Sequence, residues 1–309
     1  MSANKEAIIN HLTILMDAEK LNKQPFKVRA YKNAIETLKS LKEINDIESI
    51  KGLPGIGVKI YDKIKEYLTS GTIKKADNLS KNNDKFILQN QLLNIYGVGP
   101  TKVKELLSKI KTFDELYLET NQELLNNKQK IGLAYYDELL QKIPYKEAEE
   151  HNKYIGGILK NIEYNMVGSF RRKKELIGDI DILIKDTSSF NLKNFLKQMK
   201  DDGYILESLA SGKNKFMGIC KLKDNIPRRI DILVADGNYY FALLYFTGSY
   251  QFNIVMRNKA LELGYSLSEY GFKDKITEKL LDEINNTVKN EKDIFKILDI
   301  KYVKPENRV

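Results

Sequence analysis

The sequence predicts an α+β protein whose helices come first and whose strands come late, and three observations carry that prediction. Apolar residues recur at helical spacing early in the chain: Ile8, Ile9, Leu12 and Leu15, then Ile35, Leu38 and Leu41, then Ile60, Ile64 and Tyr67. Beyond Pro144 the pattern changes to strand-like runs at Asp179–Ile184 and Ile230–Val234, with another at Tyr239–Phe246. At 309 residues the chain exceeds the usual single-domain size, so more than one hydrophobic core is expected.

From Lys5 to about Leu68 a small all-helical unit is expected. Leu53-Pro54-Gly55-Ile56-Gly57-Val58-Lys59 interrupts it, and Ile95-Tyr96-Gly97-Val98-Gly99-Pro100-Thr101-Lys102 repeats that pattern about forty residues later in a second helical stretch. Polar Lys74–Lys85 reads as a linker between the two. Later, Leu192–Lys200 and Phe252–Leu263 read as helices and Phe216–Cys220 as a strand. Asn285–Lys292 reads as a loop or poorly packed connector, and the chain ends in a polar tail.

The formal charge of +9, from 51 basic and 42 acidic residues, favours a polyanionic partner, because lysine and arginine meeting phosphates release counterions. Cys220 is the only cysteine, which excludes an internal disulfide and a cysteine-ligated zinc site; it reads as a buried thiol in a strand. His11 and His151 lack metal or triad spacing and read as ordinary surface or helix residues. Residues 1–10 have no secretory h-region, and no run reaches the roughly 18 apolar residues of a membrane span. The expected setting is intracellular, nucleus or cytoplasm, with no membrane partner. Abundant asparagine, lysine and isoleucine fit an AT-rich genome, a viral one included, for which virion or viral factory would be the compartment.

A Gly-x-Gly turn entering a helix leaves backbone amides free at the positive end of the helix dipole, which suits a phosphate. Gly55 and Gly57, and Gly97 and Gly99, form two such turns, followed by Lys59 and Lys102. Lys59 and Lys63 lie at i and i+4 on one helix face, where crowded ammonium groups lower each other's pKa toward the neutral amine that Schiff-base chemistry needs. By spacing alone an ordinary solvated lysine face is the better explanation of the pair.

Gly168-Ser169-Phe170-Arg171-Arg172 followed by Gly178-Asp179-Ile180-Asp181 is the most informative stretch. Asp179 and Asp181 stand two apart in a strand pattern, so both project from one face while Ile180 and Ile182 point into the core. Carboxylates that close repel unless cations bridge them, and oxygen donors beside a nucleotide triphosphate select magnesium, with manganese as its substitute. Asp231, in Arg228-Arg229-Ile230-Asp231-Ile232, supplies a third carboxylate, enough to hold two metal ions. The Gly168-Ser169 turn offers amides and a hydroxyl to phosphate oxygens, and Arg172 a planar fork.

This constellation resembles the nucleotidyltransferase superfamily, which sets the chemistry and leaves the substrate open. Tyr245-Phe246-Thr247-Gly248-Ser249, continuing through Phe252-Asn253, Met256-Arg257, Ala260-Leu261-Glu262 and Gly264, narrows the choice. With Phe26-Lys27-Val28-Arg29-Ala30-Tyr31, Leu53–Lys63 and Glu291-Lys292-Asp293-Ile294-Phe295, it resembles the family X DNA polymerases of the β type, in matching order and with no appended BRCT domain. The resemblance implies four parts: a helical 5′-deoxyribose-phosphate lyase-like domain over 1–80 and a helical DNA-binding subdomain over 81–143, each with a helix-hairpin-helix motif. A catalytic palm over 144–237, with a nucleotidyltransferase-type mixed sheet, and a small α+β nucleotide-selection subdomain over 238–309 follow.

The same resemblance implies gap filling from dNTPs on gapped or nicked DNA in base excision repair, by a monomer; a ligase or nuclease partner stays unspecified. Lys63 would be the Schiff-base nucleophile, with Lys27, Tyr31, Lys59 and Lys75 around the 5′-phosphate. A monovalent cation, sodium or potassium, would rest on the carbonyls of Lys51, Leu53 and Ile56 and on those of Leu93, Ile95 and Val98. Tyr245, Phe246 and Gly248 would flank the sugar, Asn253 reach the minor-groove edge of the incoming base and Arg257 the template side. Glu269 and Tyr270 would support Arg257 on closing, and Lys215 and Arg229 would face DNA. The chain departs from the family at Ile177 (a serine), Lys142 (an arginine by the triphosphate), Tyr250 (an aspartate beside the base), Leu233 (an arginine that ties up a catalytic aspartate in the open state) and Asp62 (a glutamate). These departures predict altered fidelity and closing equilibrium with the reaction unchanged. A template-independent nucleotidyltransferase and a gap-binding scaffold are the rival readings.

Overall fold

The computed structural model describes residues 3–44, 46–81, 83–235 and 237–308. The chain divides into two compact units, Met1–Tyr136 and Asp137–Val309.

Among the described residues, the regular elements of the first unit are all helices. Helices α1 (Ala3–Leu21), α2 (Pro25–Ser40) and α3 (Val58–Ser70) close around Ile8, Leu12, Leu15, Ile35, Leu38, Ile60 and Ile64, residues whose spacing predicted them. The expected linker is instead helix: α4 (Lys74–Lys81) and the start of α5 (Asn83–Asn94) occupy it, while Asn82 lies outside the described residues. Ile73 and Ala76 are fully buried against the same core. The stretch looks like a linker because Ala76 and the half-buried Leu79, with Ile73 just before the helix, are enough to seat a short helix whose other faces are polar. Helix α6 (Pro100–Leu106) and helix α7 (Asn127–Ala134) enclose a second core with α5, built on Leu88, Leu92, Ile95, Val103, Leu106 and Leu133. Leu21, at the end of α1, belongs to that second core.

A single turn, α8 (Tyr136–Leu140), precedes strand β1 (Ile143–Pro144) and helix α9 (Tyr145–Leu159). Then come β2 (Tyr164–Met166), the short helix α10 (Gly168–Arg171), β3 (Leu176–Ile177), β4 (Ile180–Lys185), α11 (Leu192–Asp201), β5 (Ile205–Ser211), β6 (Lys215–Cys220) and β7 (Arg228–Ala235). Strands β1 and β3 form a small ribbon, and the main sheet has the order β2-β4-β7-β6-β5, with β4 and β7 its parallel pair. Ile180, Ile182 and Ile184 pack on one face against α9 and α11 through Ile155, Leu159, Phe195 and Met199. Leu183, on the other face, packs with Val167, Ala235 and Leu243. Cys220 is buried, as its strand pattern implied.

The run Tyr239–Phe246 corrects the sequence reading: it is helix α12 (Tyr239–Thr247), not a strand. Periodicity could not decide, because the segment is apolar nearly all round and packs on two sides, into the sheet and into the terminal core. Its start is marked by Asn238, whose side chain accepts from the amide of Tyr240. Helix α13 (Tyr250–Glu262) follows, then the hairpin β8 (Tyr265–Ser268) and β9 (Gly271–Asp274), α14 (Asp282–Asn285) and α15 (Glu291–Ile297). Asn285–Lys292 is not poorly packed: Val288 is buried, and the buried Asn285 side chain both accepts from the Phe272 amide and donates to the Phe272 carbonyl. Nor is the end a loose polar tail. Arg308 is fully buried, lies over the rings of Phe252, Phe295 and Tyr302, and binds Glu291 at 2.6 Å.

Candidate active site

Strand register brings the three predicted carboxylates together. Asp181 on β4 stands opposite Asp231 on β7 in the parallel pair, and Asp179 lies one residue before β4. Their carboxylate oxygens lie within 4.8 Å of one another. Burial pushes Asp181 up to about 7, with the Asp231 charge adding to the shift and Arg172 opposing it. Burial also raises Asp231, against the pull of Arg229 and Lys215. Three acidic groups held this close favour hard divalent cations bound through oxygen, so the donor set fits a divalent metal ion.

Gly168 is required by this packing. Strand β2 pairs with β4, and the Val167 amide donates to the Asp181 carbonyl at 2.8 Å, which sets the Gly168 backbone directly against the Asp181 side chain. Its φ is 58°, and a Cβ there would overlap Asp181 Oδ2. Ser169 shares the same short helix. Its two arginines then diverge: Arg172 donates to the Thr247 carbonyl at 2.5 Å, whereas Arg171 binds the Thr247 hydroxyl at 2.7 Å and Glu291 at 3.0 and 2.6 Å. Arg229, expected to face DNA, forms an ion pair with Asp179 and sets its Nε 3.8 Å from Asp231. Its position two residues before Asp231 in β7 turns it to the same face. Leu233 and Ile177 pack into apolar clusters, and the Lys142 ammonium lies 3.6 Å from where a Cβ on Gly178 would stand.

At the end of α12, Gly248 has φ 61° and a cis peptide to Ser249, whose hydroxyl caps α13. Tyr245 and Phe246 meet edge to face, Arg257 lies 5.0 Å over the Tyr245 ring, and the Asn253 amide donates to the Tyr245 carbonyl at 2.8 Å. Tyr250 begins α13 half-exposed, and Glu269 and Tyr270 occupy the β8–β9 turn.

In the first unit the two glycine turns match atom for atom. Leu53 donates to Ile50 and Ile56 to Leu53, at 3.3 and 3.0 Å; Ile95 donates to Leu92 and Val98 to Ile95, at 3.2 and 3.0 Å. Gly55 and Gly97 have φ of 82° and 81°, and Gly57 and Gly99 are the N-caps of α3 and α6. Gln129 braces the second turn through the Gly97 carbonyl, and Lys102 pairs with Glu105. Lys59 is exposed and Lys63 half-buried on α3, Lys63 donating to the Lys59 carbonyl at 3.2 Å. Lys27 and Lys75 both bind Glu19, at 3.2 and 3.3 Å. Burial alone would raise the Glu19 carboxyl, but these two ammonium groups hold it below its ordinary value. Tyr31 is buried, and burial and the Glu19 charge raise its hydroxyl.

Sequence reasoning gave no role to Glu19, Gln129, Glu147 or Arg308, and none to Arg228 and Glu291 although both lie in quoted motifs. Each works by tertiary pairing across 8 to 120 residues, which no local spacing reports.

Four family models match in chain order: a helix-hairpin-helix domain over 3–73, the fingers domain of DNA polymerase lambda over 90–140, the DNA polymerase beta palm over 142–237 and the DNA polymerase beta thumb over 242–309. Among curated proteins the chain is 29% identical to DNA polymerase lambda of Rattus norvegicus, over 97% of this chain and 56% of that protein. It is 27% identical to the type-X family DNA polymerase pol4 of Schizosaccharomyces pombe, over 98% and 64%. It is 29% identical to DNA polymerase lambda of Arabidopsis thaliana, over 72% and 45%. The chain thus spans about half to two thirds of the length of these relatives.

Proposed function

Since the chain belongs to family X of the DNA polymerases, we propose that it is a template-directed DNA polymerase that fills short gaps during base excision repair. The observation that carries this reading is the clustering of Asp179, Asp181 and Asp231 within 4.8 Å, beside the Gly168–Arg172 turn. Asp179, Asp181 and Asp231 would hold two magnesium ions. When bound, these would activate the primer 3′-hydroxyl and neutralise the triphosphate and its leaving group. Arg172, Ser169, Gly178 and Lys142 would bind and orient the phosphates. Tyr245, Phe246 and Gly248 would border the sugar, Asn253, Tyr250 and Arg257 the nascent pair, and Lys215 the primer end.

The first unit would supply DNA binding and lyase chemistry. Its two glycine turns present uncapped amides to backbone phosphates, with a monovalent cation on the carbonyls of the same turns. The Lys63 amine would attack the C1′ aldehyde of a 5′-deoxyribose phosphate, losing water to form a Schiff base, while Lys27, Lys59 and Lys75 hold the phosphate. The four-part division at residues 80, 143 and 237 belongs to this reading. Among the described residues no helix is long and apolar enough to cross a membrane.

The test is magnesium-dependent filling of a one-nucleotide gap carrying a 5′-deoxyribose phosphate, with borohydride trapping in parallel. Asp231→Ala should abolish synthesis alone and Lys63→Ala trapping alone. Synthesis that survives Asp231→Ala sinks the two-metal reading. Wild-type protein that adds nucleotides without ever trapping reduces the first unit to DNA binding.

A further inference from the structure

We propose that Arg228 is a positioning residue for the nucleotide site, acting through Lys142; the inference rests on the reading of Lys142 as a triphosphate contact. Arg228 is buried at the start of β7, three residues before Asp231. Its guanidinium makes a two-point contact with Glu147, Nε to Oε1 and Nη2 to Oε2, both at 2.7 Å. The remaining nitrogen, Nη1, donates to two successive carbonyls, Gln141 at 3.3 Å and Lys142 at 3.4 Å.

One planar group thus joins the strand that carries Asp231, the first turn of α9 and the peptide at Lys142. A rigid fork with five donors can do this, whereas a lysine ammonium, a single point with freely rotating donors, cannot hold both edges at once. From this clamped peptide the Lys142 side chain runs to Gly178, the residue immediately before Asp179. Pairing of Ile143 with Ile177 keeps the two segments in register. The ammonium is therefore held over the turn that launches the first carboxylate, where the outer phosphates of a nucleotide would rest. Exposed lysine side chains lose rotamer freedom when they bind, and a fixed backbone shrinks the set of positions the amine must search.

Glu147 is committed to this clamp. His151, one turn along α9, sets its Nε2 3.9 Å from Glu147 Oε1, but the ring is fully buried and its Nδ1 is 2.7 Å from the Tyr204 hydroxyl. The Glu147 carboxylate therefore pairs with the guanidinium and not with a histidine cation. A fold that needed only charge balance in this core would be served by the Glu147 contact alone. The bonds to Gln141 and Lys142 act on the segment that bears the ammonium.

The experiment is a double-mutant cycle on the full chain with gapped DNA and magnesium, comparing Arg228→Lys, Lys142→Ala and the double variant. The readouts are KM and kcat for one nucleotide, and nucleotide Kd on a dideoxy-terminated primer. Lys142→Ala should raise KM and Kd about tenfold and Arg228→Lys about fivefold, mostly without loss of kcat, and the double variant should be no worse than Lys142→Ala alone. If the two effects multiply, or if Arg228→Lys leaves KM unchanged while Lys142→Ala raises it, the positioning role is wrong. If Lys142→Ala itself leaves KM and Kd unchanged, the assignment of Lys142 fails first and the proposal with it. Should Arg228→Lys fold poorly, the neutral pair Glu147→Gln with Arg228→Gln replaces it in the cycle, with the same outcomes deciding.

Discussion

In the second unit, three carboxylates are forced within 4.8 Å by the register of two parallel strands. In the first, Lys27 and Lys75 meet at one carboxylate, Glu19, whose side chain is 8% exposed while theirs are 58% and 60% exposed. The carboxylate site stores its electrostatic cost in the fold, so Asp181 is shifted before any ligand arrives. The lysine site keeps its charges in water and only anchors their stems. The first arrangement should be sensitive to single atoms and to pH, the second should degrade by degrees.

The largest effect expected from that contrast is at Gly168. A methyl there must displace Asp181 Oδ2 or distort a backbone at φ 58°, and a shift of about 1 Å at a reacting centre costs on the order of 100-fold in rate. Gap filling by Gly168→Ala within threefold of wild type would show that the carboxylates are not held as the register implies. Arg308→Ala comes next. It removes one of two arginines from buried Glu291, whose carboxyl burial alone would raise but which Arg171 and Arg308 bring below its ordinary value. Arg171 still pairs with Glu291, so the cost is that of one buried charge-assisted hydrogen bond and the contacts with three rings, together about 3–5 kcal/mol, read as a drop in the urea midpoint; an unchanged midpoint would show that the Arg308–Glu291 contact adds nothing to stability.

A smaller effect separates the two regions by pH. Burial lowers His151 to about 4 from 6.5, with Glu147 opposing and Arg228 adding. Between those values the unfolded chain binds the proton more readily than the folded one, so stability is full above pH 6.5 and falls as pH drops toward 4, by about 3 kcal/mol. Urea unfolding at pH 7 and 4.5, for wild type and His151→Leu, measures it. Equal pH slopes in the two proteins would contradict the shift. The smallest effect is at Glu19→Gln, where Lys27 and Lys75 lose their shared anchor but remain in solvent. Borohydride trapping should weaken about two- to fivefold at low salt, as for other exposed ion pairs. A loss as complete as that of Lys63→Ala would mean that Glu19 takes part in the chemistry itself.

Legibility followed the same line. The carboxylates, the glycine turns and the helices of the first unit were readable because each is a local pattern: alternation along a strand, a repeat in one frame, apolar spacing of 3.6. Tyr239–Phe246 was misread because a segment buried on several sides has no polar face to report its period. Lys74–Lys85 was misread for the opposite reason, having too few apolar residues to show one.

By itself the sequence determined the α+β class, the order of the helical and strand-rich parts and which three carboxylates would cluster, since these depend on residue type and spacing within a few positions. Only the tertiary structure decided which charges are spent inside the protein. Arg171 goes to Glu291 while its neighbour Arg172 stays beside Asp181; Arg229 turns to Asp179, and Arg228 to Glu147. Adjacent arginines are alike in sequence and take different partners because side chains on successive strand or helix positions point to different neighbours, and those neighbours arrive from distant parts of the chain.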